Sequence, residues 1–209
     1  GDWILDGSKM LITNGSIADV AVVWARTDPD GPDAGAVRGF VVPTDSPGFS
    51  APEIHRKVSL RASVTSELVM DGVRLPADAV LPGVTGMRGP LSCLNEARFG
   101  IAFGACGAAR ACYEAALDYA GERRQFDRPI ASFQLTQRKL VEMMVKVQQG
   151  TLLAIHLGRM KDAGTLATPQ ISFGKMQNVR TALEVAREAR SVLGANGITT
   201  EYPVIRHMN

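Results

Sequence analysis

Cysteine is scarce and unpatterned in this chain. Cys93, Cys106 and Cys112 are its 3 cysteines, odd in number, and no two stand in a C-x-x-C spacing. That excludes a disulfide framework and a cysteine zinc site, and leads to the expectation of a reducing, intracellular compartment. His55, His156 and His207 have no ligand spacing to one another or to the cysteines, so no metal site is expected. Charge of one sign is also lacking: 23 basic against 21 acidic side chains, spread along the sequence, leave a net +2. No field of that size points to nucleic acid or to an anionic membrane, so a small-molecule partner is expected. The longest apolar run, Ala18 to Ala25, is interrupted by Asp19 and falls far short of the ~20 residues of a membrane-spanning helix. There is no G-x-S-x-G, no P-loop and no G-x-G-x-x-G after a strand, so the common nucleophile and phosphate motifs are excluded.

Proline is present but unevenly placed. Pro29, Pro32, Pro43, Pro47, Pro52, Pro76, Pro82 and Pro90 crowd the first part, and only Pro129, Pro169 and Pro203 follow, each where a helix would begin or end. The split predicts two domains, residues 1–89 and 90–209. Gly1 is not an initiator Met, and the chain stops just after a helix start, so both ends are expected to be cut.

The first part reads as short strands. Trp3–Leu5 and Lys9–Thr13 flank Asp6-Gly7, and Glu67–Met70 and Val73–Leu75 flank Asp71-Gly72; both predict tight hairpins, because Asp-Gly supplies positive φ. Ala18 to Ala25 predicts a strand covered on both faces. Further strands are expected over residues 37–43 and 49–54, with a polar loop over 27–36. The cluster His55, Lys57 and Arg61 reads as a solvated loop. Together these predict an antiparallel barrel or sandwich.

The second part reads as long helices. Leu91, Leu94, Ile101, Ala105, Ala108, Cys112, Ala115 and Tyr119 keep a helical period up to Gly121, and Gly100, Gly104 and Gly107 predict close packing by another backbone. A second stripe runs through Leu140, Met143, Met144, Val147, Ala154 and Ile155. A third runs through Met176, Val179, Leu183, Ala186 and Leu193, starting at an N-cap Thr168 followed by Pro169. The fold class is therefore α+β, an antiparallel β domain followed by an antiparallel helix bundle. Between the first two helices stands Glu122-Arg123-Arg124-Gln125-Phe126-Asp127-Arg128-Pro129, closed by Gln134, whose forked guanidinium groups suit phosphate. From the residues alone, a solvated turn between helices with a basic face is the favoured account of it. The third helix ends in Leu193-Gly194-Ala195-Asn196-Gly197-Ile198, which suits a helix cap or a turn whose amides face phosphate.

Five segments in register resemble a known family. Lys9-Met10-Leu11-Ile12-Thr13-Asn14, Lys57-Val58-Ser59-Leu60-Arg61-Ala62-Ser63, Leu94-Asn95-Glu96-Ala97-Arg98-Phe99-Gly100-Ile101-Ala102, the Arg123-Arg124-Gln125-Phe126 loop with Gln134, and Leu193 to Ile198 followed by Tyr202-Pro203-Val204-Ile205-Arg206-His207 stand in the order seen in flavin-dependent acyl-CoA dehydrogenases. The combination is most similar to the glutaryl-CoA branch. The resemblance implies FAD as cofactor, with Leu11, Ile12 and Thr13 along the flavin ring; the family's usual Trp is Leu11 here. It implies that Arg123 and Gln134, joined by Ser191, Val192, Leu193, Gly194 and Ala195, bind the FAD of a neighbouring subunit, hence a homo-oligomer, a tetramer. Asp127 stands where the family has Gly, and is expected to point away from the phosphates. Leu91, Ser92, Cys93, Leu94, Asn95, Glu96, Ala97 and Arg98 would line the acyl-CoA channel. The implied activity is α,β-dehydrogenation of an acyl-CoA, with decarboxylation to crotonyl-CoA in the glutaryl branch. Electron-transfer flavoprotein is the implied electron acceptor, and lysine degradation the setting, in a bacterial cytoplasm or a mitochondrial matrix. No catalytic residue is assigned, since the expected Glu lies beyond Asn209. An acyl-CoA oxidase, another acyl-CoA dehydrogenase, or a non-catalytic flavin- or acyl-CoA-binding module are the alternatives.

Overall fold

The computed structural model describes residues 2–27, 30 and 36–209, which divide into two compact units, Gly1–Cys93 and Leu94–Asn209. The first holds β1 (Trp3–Thr13), β2 (Val20–Arg26), β3 (Val37–Pro43), β4 (Phe49–Ser50) and β5 (Thr65–Leu75). These form two antiparallel sheets, ordered β1-β5-β4 and β2-β3. Leu5, Met70, Val73 and Leu75 from one sheet and Val23, Phe40 and Val42 from the other make a single buried cluster, so the unit is a small sandwich. Trp3 sets its ring edge on Phe40 at 5.2 Å.

Neither expected Asp-Gly hairpin forms. Trp3–Thr13 and Thr65–Leu75 are each one continuous strand, paired with each other. Leu5 faces Val73 and Gly7 faces Met70, so Asp6 alone spans Asp71 and Gly72. Gly72 takes φ 61°, and its N–H donates to Asp6 Oδ1 at 2.7 Å. A bulge and a hairpin turn need the same left-handed conformer, which is why the dipeptide alone does not separate them. The expected strand over 49–54 is cut to Phe49–Ser50, because Pro52 has no N–H to continue the ladder; Glu53 keeps one bridge to Ser66. In β2, Val23 is buried while Val20 and Val22 are over half exposed, so only one face of that strand is covered by described residues. Of the expected polar loop, Thr27 N–H donates to Ala36 O at 2.9 Å; residues 28, 29 and 31–35 lie outside the described residues.

The second unit is helical: most of α1 (Arg88–Glu122), then a short hairpin of β6 (Arg124–Gln125) and β7 (Arg128–Pro129), α2 (Gln134–Asp162), α3 (Thr168–Leu193) and α4 (Val204–Met208). Contacts descend one helix as they climb the next: Lys146 meets Glu184, Gly150 meets Asn178 and Gly174 meets Leu157. The helices are therefore antiparallel. The core joins Ala109, Cys112, Ala116 and Ala120 of α1 to Leu140, Met143 and Val147 of α2 and to Val185, Ala189 and Leu193 of α3, with Val204 of α4 beneath.

The buried stripes differ from the expected ones. On α1 the inward residues are small, from Ala102 to Ala120, while Leu91, Leu94 and Ile101 are exposed. On α3, Met176 and Val179 point out, and Ile171, Gly174, Asn178, Thr181 and Val185 point in. Small residues let helix backbones approach closely, so the seam forms on alanine and glycine rather than on the largest side chains. A Cβ added at Gly100, Gly104 or Gly107 would meet none of the described residues beyond its own helix within 4 Å, whereas one at Gly174 would lie 2.2 Å from Leu157 Cδ1. The cap of α3 is Ala167, whose N–H donates to Gln170 Oε1 at 2.7 Å; Thr168 instead accepts from Asn95 Nδ2 at 3.0 Å. Asn178 is fully buried, and its Nδ2 donates to Ala102 O at 2.9 Å and Gly150 O at 3.1 Å. Among the described residues no helix is long and apolar enough to cross a membrane.

Replacing Asn178 by Ala removes a polar link among three helices and should cost about 1–3 kcal/mol, read as a lower urea midpoint with little change in slope. Cys93 is exposed, while burial pushes the Cys112 thiol up to about 11. At pH 8, Cys93 should alkylate at least about 100-fold faster than Cys112, measured residue by residue by mass spectrometry; equal rates would contradict the packing of α1.

Candidate functional site

Three segments expected to bind ligand are placed by different devices. The first is Leu11-Ile12-Thr13, at the end of β1. Lys9 faces Leu68 and Ile12 faces Ser66, so Met10 and Leu11 together oppose Glu67. Leu11 takes φ 59° in this second bulge and is 67 % exposed. The left-handed conformer is strained for a branched side chain, and such strain persists only where the surroundings impose it. Thr13 is exposed, and its hydroxyl has no hydrogen-bond partner among the described residues. It lines two hollows. One, of about 400 Å³, is bordered by Leu11, Lys57, Val58, Leu60 and Thr65. The other, of about 330 Å³, is bordered by Ile12, Val20, Val22, Trp24 and Leu68.

Lys57 is not solvated as the sequence reading expected. Its ammonium donates to Leu60 O at 3.0 Å, to Thr65 Oγ1 at 2.7 Å and to Ser63 O, which uses all three of its N–H bonds. The loop it knots carries Leu60 at φ 50° and forms one wall of the larger hollow. His55 pairs with Glu53 at 3.3 Å, on the surface.

The second segment lies at one end of the bundle. Arg123 N–H donates to Tyr119 O, and Arg123 O accepts from Ile130 N–H, both at 2.8 Å, so the backbone around Arg123 closes a β-hairpin that the sequence reading missed. Phe126 and Asp127 occupy its turn at φ 52° and 65°. Both central residues of a type I′ turn need positive φ, and two non-glycine residues there were the available signal only in hindsight of the pairing. Arg124 Nη2 donates to Asp127 O, and the Arg128 guanidinium sits 4.1 Å over the Phe133 ring. The Arg123 guanidinium and the Gln134 amide are exposed and make no side-chain hydrogen bond among the described residues. Asn196 Nδ2 donates to Tyr119 Oη at 3.1 Å, and Tyr119 packs edge-on against Tyr202. Lys139 Nζ meets Ser191 Oγ at 2.8 Å. These contacts gather the end of α1, the start of α2 and the end of α3. Gly194 caps α3 at φ 59°, and a short 3-10 helix, Gly194–Ile198, follows. Ser191, Gly194 and Ala195 are exposed and Val192 is half-buried, but Leu193 is core, 1 % exposed, so it offers a ligand only its backbone.

The third segment, Leu91 to Arg98, lies wholly within α1. Leu91, Ser92, Cys93, Leu94, Glu96 and Ala97 are exposed, and Asn95 and Arg98 half-buried. Its one carboxylate, Glu96, is ion-paired with Lys161, whose ammonium also lies 4.4 Å from the Phe99 ring centre. Arg98 makes no ion pair among the described residues, so the segment presents net positive charge. No cluster of His, Cys, Asp or Glu among the described residues could hold a metal ion. Glu142 is held below the usual carboxylate range by Arg138, which donates to it at 2.8 Å.

Both units match known domain families. The domain family described as acyl-CoA dehydrogenase, middle domain, matches residues 1–73, and acyl-CoA dehydrogenase, C-terminal domain, matches residues 85–209. A glutaryl-CoA dehydrogenase of Desulfococcus multivorans is 37% identical over 207 residues, covering 98% of this chain and 53% of that protein. The chain thus spans about half the length of the curated relatives it matches. Crystal structures of glutaryl-CoA dehydrogenase from Mycobacterium smegmatis superpose with a TM-score of 0.94; one is 67% identical, and another, in complex with FADH2, is 61% identical, each covering 100% of this chain and 52% of that one. With two successive domain families matched in chain order over most of its residues, the chain belongs to the acyl-CoA dehydrogenase family.

Proposed function

We propose that the protein carrying this chain is an FAD-dependent acyl-CoA dehydrogenase acting on glutaryl-CoA, with oxidation between Cα and Cβ and loss of CO2 to give crotonyl-CoA. The observation that carries the reading is Thr13: a strand-end hydroxyl with no hydrogen-bond partner among the described residues, set between two hollows and beside exposed Leu11. Apolar walls with one unclaimed donor suit a flat heteroaromatic ring. When bound, FAD would supply the acceptor for the hydride leaving Cβ. Leu11 and Ile12 would give the ring its apolar contact, Thr13 would hydrogen-bond its polar edge, and the loop knotted by Lys57 would close one side against water. Similarity to glutaryl-CoA dehydrogenases along the full chain supports the choice of substrate.

Arg123, Gln134 and the turn from Ser191 to Ala195 would hold the pyrophosphate and adenosine of FAD in a neighbouring subunit, which makes the protein a homo-oligomer, a tetramer. The exposure of Arg123, Gln134, Ser191, Gly194 and Ala195, and the absence of side-chain hydrogen bonds at Arg123 and Gln134 among the described residues, support this. Leu91 to Arg98 would line the acyl-CoA channel, where the pairing of Glu96 with Lys161 leaves Arg98 to face the anionic thioester ligand. The domain division we propose is residues 1–89 and 90–209. Electron-transfer flavoprotein is the proposed electron acceptor, and a bacterial cytoplasm or mitochondrial matrix the proposed compartment.

The base that takes the α-proton is not among the helix carboxylates described. Glu142, Glu184 and Glu188 are paired with Arg138, Lys146 and Lys139, and a base must reach the proton within about 2.6–3.2 Å. Glu142→Gln and Glu184→Gln in the full-length protein should each keep kcat within about 10-fold, where loss of the true base removes about 10²–10⁴. Arg123→Ala should weaken FAD retention by about 10- to 150-fold, the equivalent of a charge-assisted hydrogen bond of about 1.5–3 kcal/mol, and should loosen the oligomer with it. Flavin content after gel filtration and oligomer mass by light scattering read both together. The activity itself is tested by anaerobic flavin bleaching of the full-length holoprotein with glutaryl-CoA, and release of CO2 separates the glutaryl branch from other acyl-CoA dehydrogenases.

A further inference from the structure

We propose, resting on the reading of the bundle end as a nucleotide site, that Lys139 is a positioning residue for Ser191 and fixes the direction of the hydrogen bond that Ser191 makes to the ligand. Lys139 leaves α2 just over one turn beyond Gln134 and reaches the last turn of α3, where its ammonium lies 2.8 Å from Ser191 Oγ and 2.7 Å from Glu188 Oε1. Glu188 and Ser191 are one turn apart on one face of α3, so a single cation grips both. An ammonium only donates. The Ser191 oxygen therefore accepts from Lys139, and its own O–H has no acceptor among the described residues. Ser191 is exposed, so that O–H points its donor at whatever binds there. The group it meets must be an acceptor: a phosphate or ribose oxygen, or a ring nitrogen, of the nucleotide part of FAD.

Glu188 makes this arrangement specific. Its carboxylate holds the lysine between the helices rather than in solvent, and Leu140, next to Lys139 on α2, is locked in the core with Leu193. The second rung, Lys146 to Glu184 at 2.7 Å, carries no hydroxyl. It provides an internal control, since it ties the same two helices without touching the site.

The test uses full-length holoprotein and measures FAD dissociation by fluorescence on dilution, alongside the melting temperature of the apoprotein. Lys139→Met and Ser191→Ala should each weaken FAD retention by about 10-fold, the size of one hydrogen bond. The double variant should be no worse than either single one, because both remove the same contact. Lys139→Arg should restore most of the loss, and Lys146→Met should lower the apoprotein melting temperature without changing FAD retention. If Ser191→Ala weakens retention and Lys139→Met does not, the role of Lys139 is overturned while the nucleotide site stands. If additive losses appear, the two act separately and the proposal fails. If Ser191→Ala leaves retention unchanged, the assignment of Ser191 to the cofactor site fails, and the role of Lys139 with it.

Discussion

The helical unit depends on close approach at a single buried level. Asn178 donates to one carbonyl of α1 and one of α2, and it does so where Gly150 leaves only 3.2 Å between a hypothetical Cβ and Asn178 Oδ1. A buried amide with fixed acceptors tolerates no sliding of the helices, because a shift of one residue would leave it unpaired in a low-dielectric interior. The alanine seam then follows: with the backbones drawn together at this level, Ala109, Cys112, Ala116 and Ala120 fill the space where larger side chains would not fit. In this sense the polar junction sets the register and the apolar surface supplies most of the free energy.

The succession of strands followed by long helices was legible in the sequence; the joining of four expected strands into two, the hairpin at Phe126-Asp127 and the face that each helix buries were not. Periodicity marks a stripe but cannot tell a stripe turned toward a neighbour within the chain from one turned elsewhere. Leu91, Leu94, Ile101, Met176 and Val179 all keep a helical period and are all exposed here, while the inward positions carry Ala, Gly and Asn, which score as weakly apolar or polar. The Asp-Gly pairs failed for a different reason. Gly72 has the backbone conformation that its sequence promised, but the partner strand comes from the far end of the unit rather than across the dipeptide.

The candidate site was legible as a set of segments through their resemblance to a family, not through their chemistry. No single motif in them is diagnostic. What could not be read was the support: Lys57 folded back on its own loop, Tyr119 receiving Asn196, and Lys139 reaching Ser191. Each joins residues through side chains whose targets are backbone oxygens or hydroxyls, and neither kind of acceptor leaves a trace in residue spacing. The hairpin at Phe126-Asp127 is intermediate. Its basic residues drew notice, but a two-residue strand on either side is too short to show a period of two.

The pairing of β1 with β5 has a kinetic side. Thr13 meets Thr65 and Trp3 meets Leu75, so the strand that carries Leu11 and Thr13 must wait for its partner to emerge from the ribosome. At ~5–20 residues per second the delay is several seconds, and closing so long a loop adds to the entropic barrier once both strands are present. The helices, by contrast, meet neighbours joined by short connections and can form as they are made. During that interval β1 is an unpaired edge with Met10 and Leu11 outward, and the left-handed conformer at Leu11 interrupts its flatness, a feature that disfavours pairing with the same strand of another nascent chain.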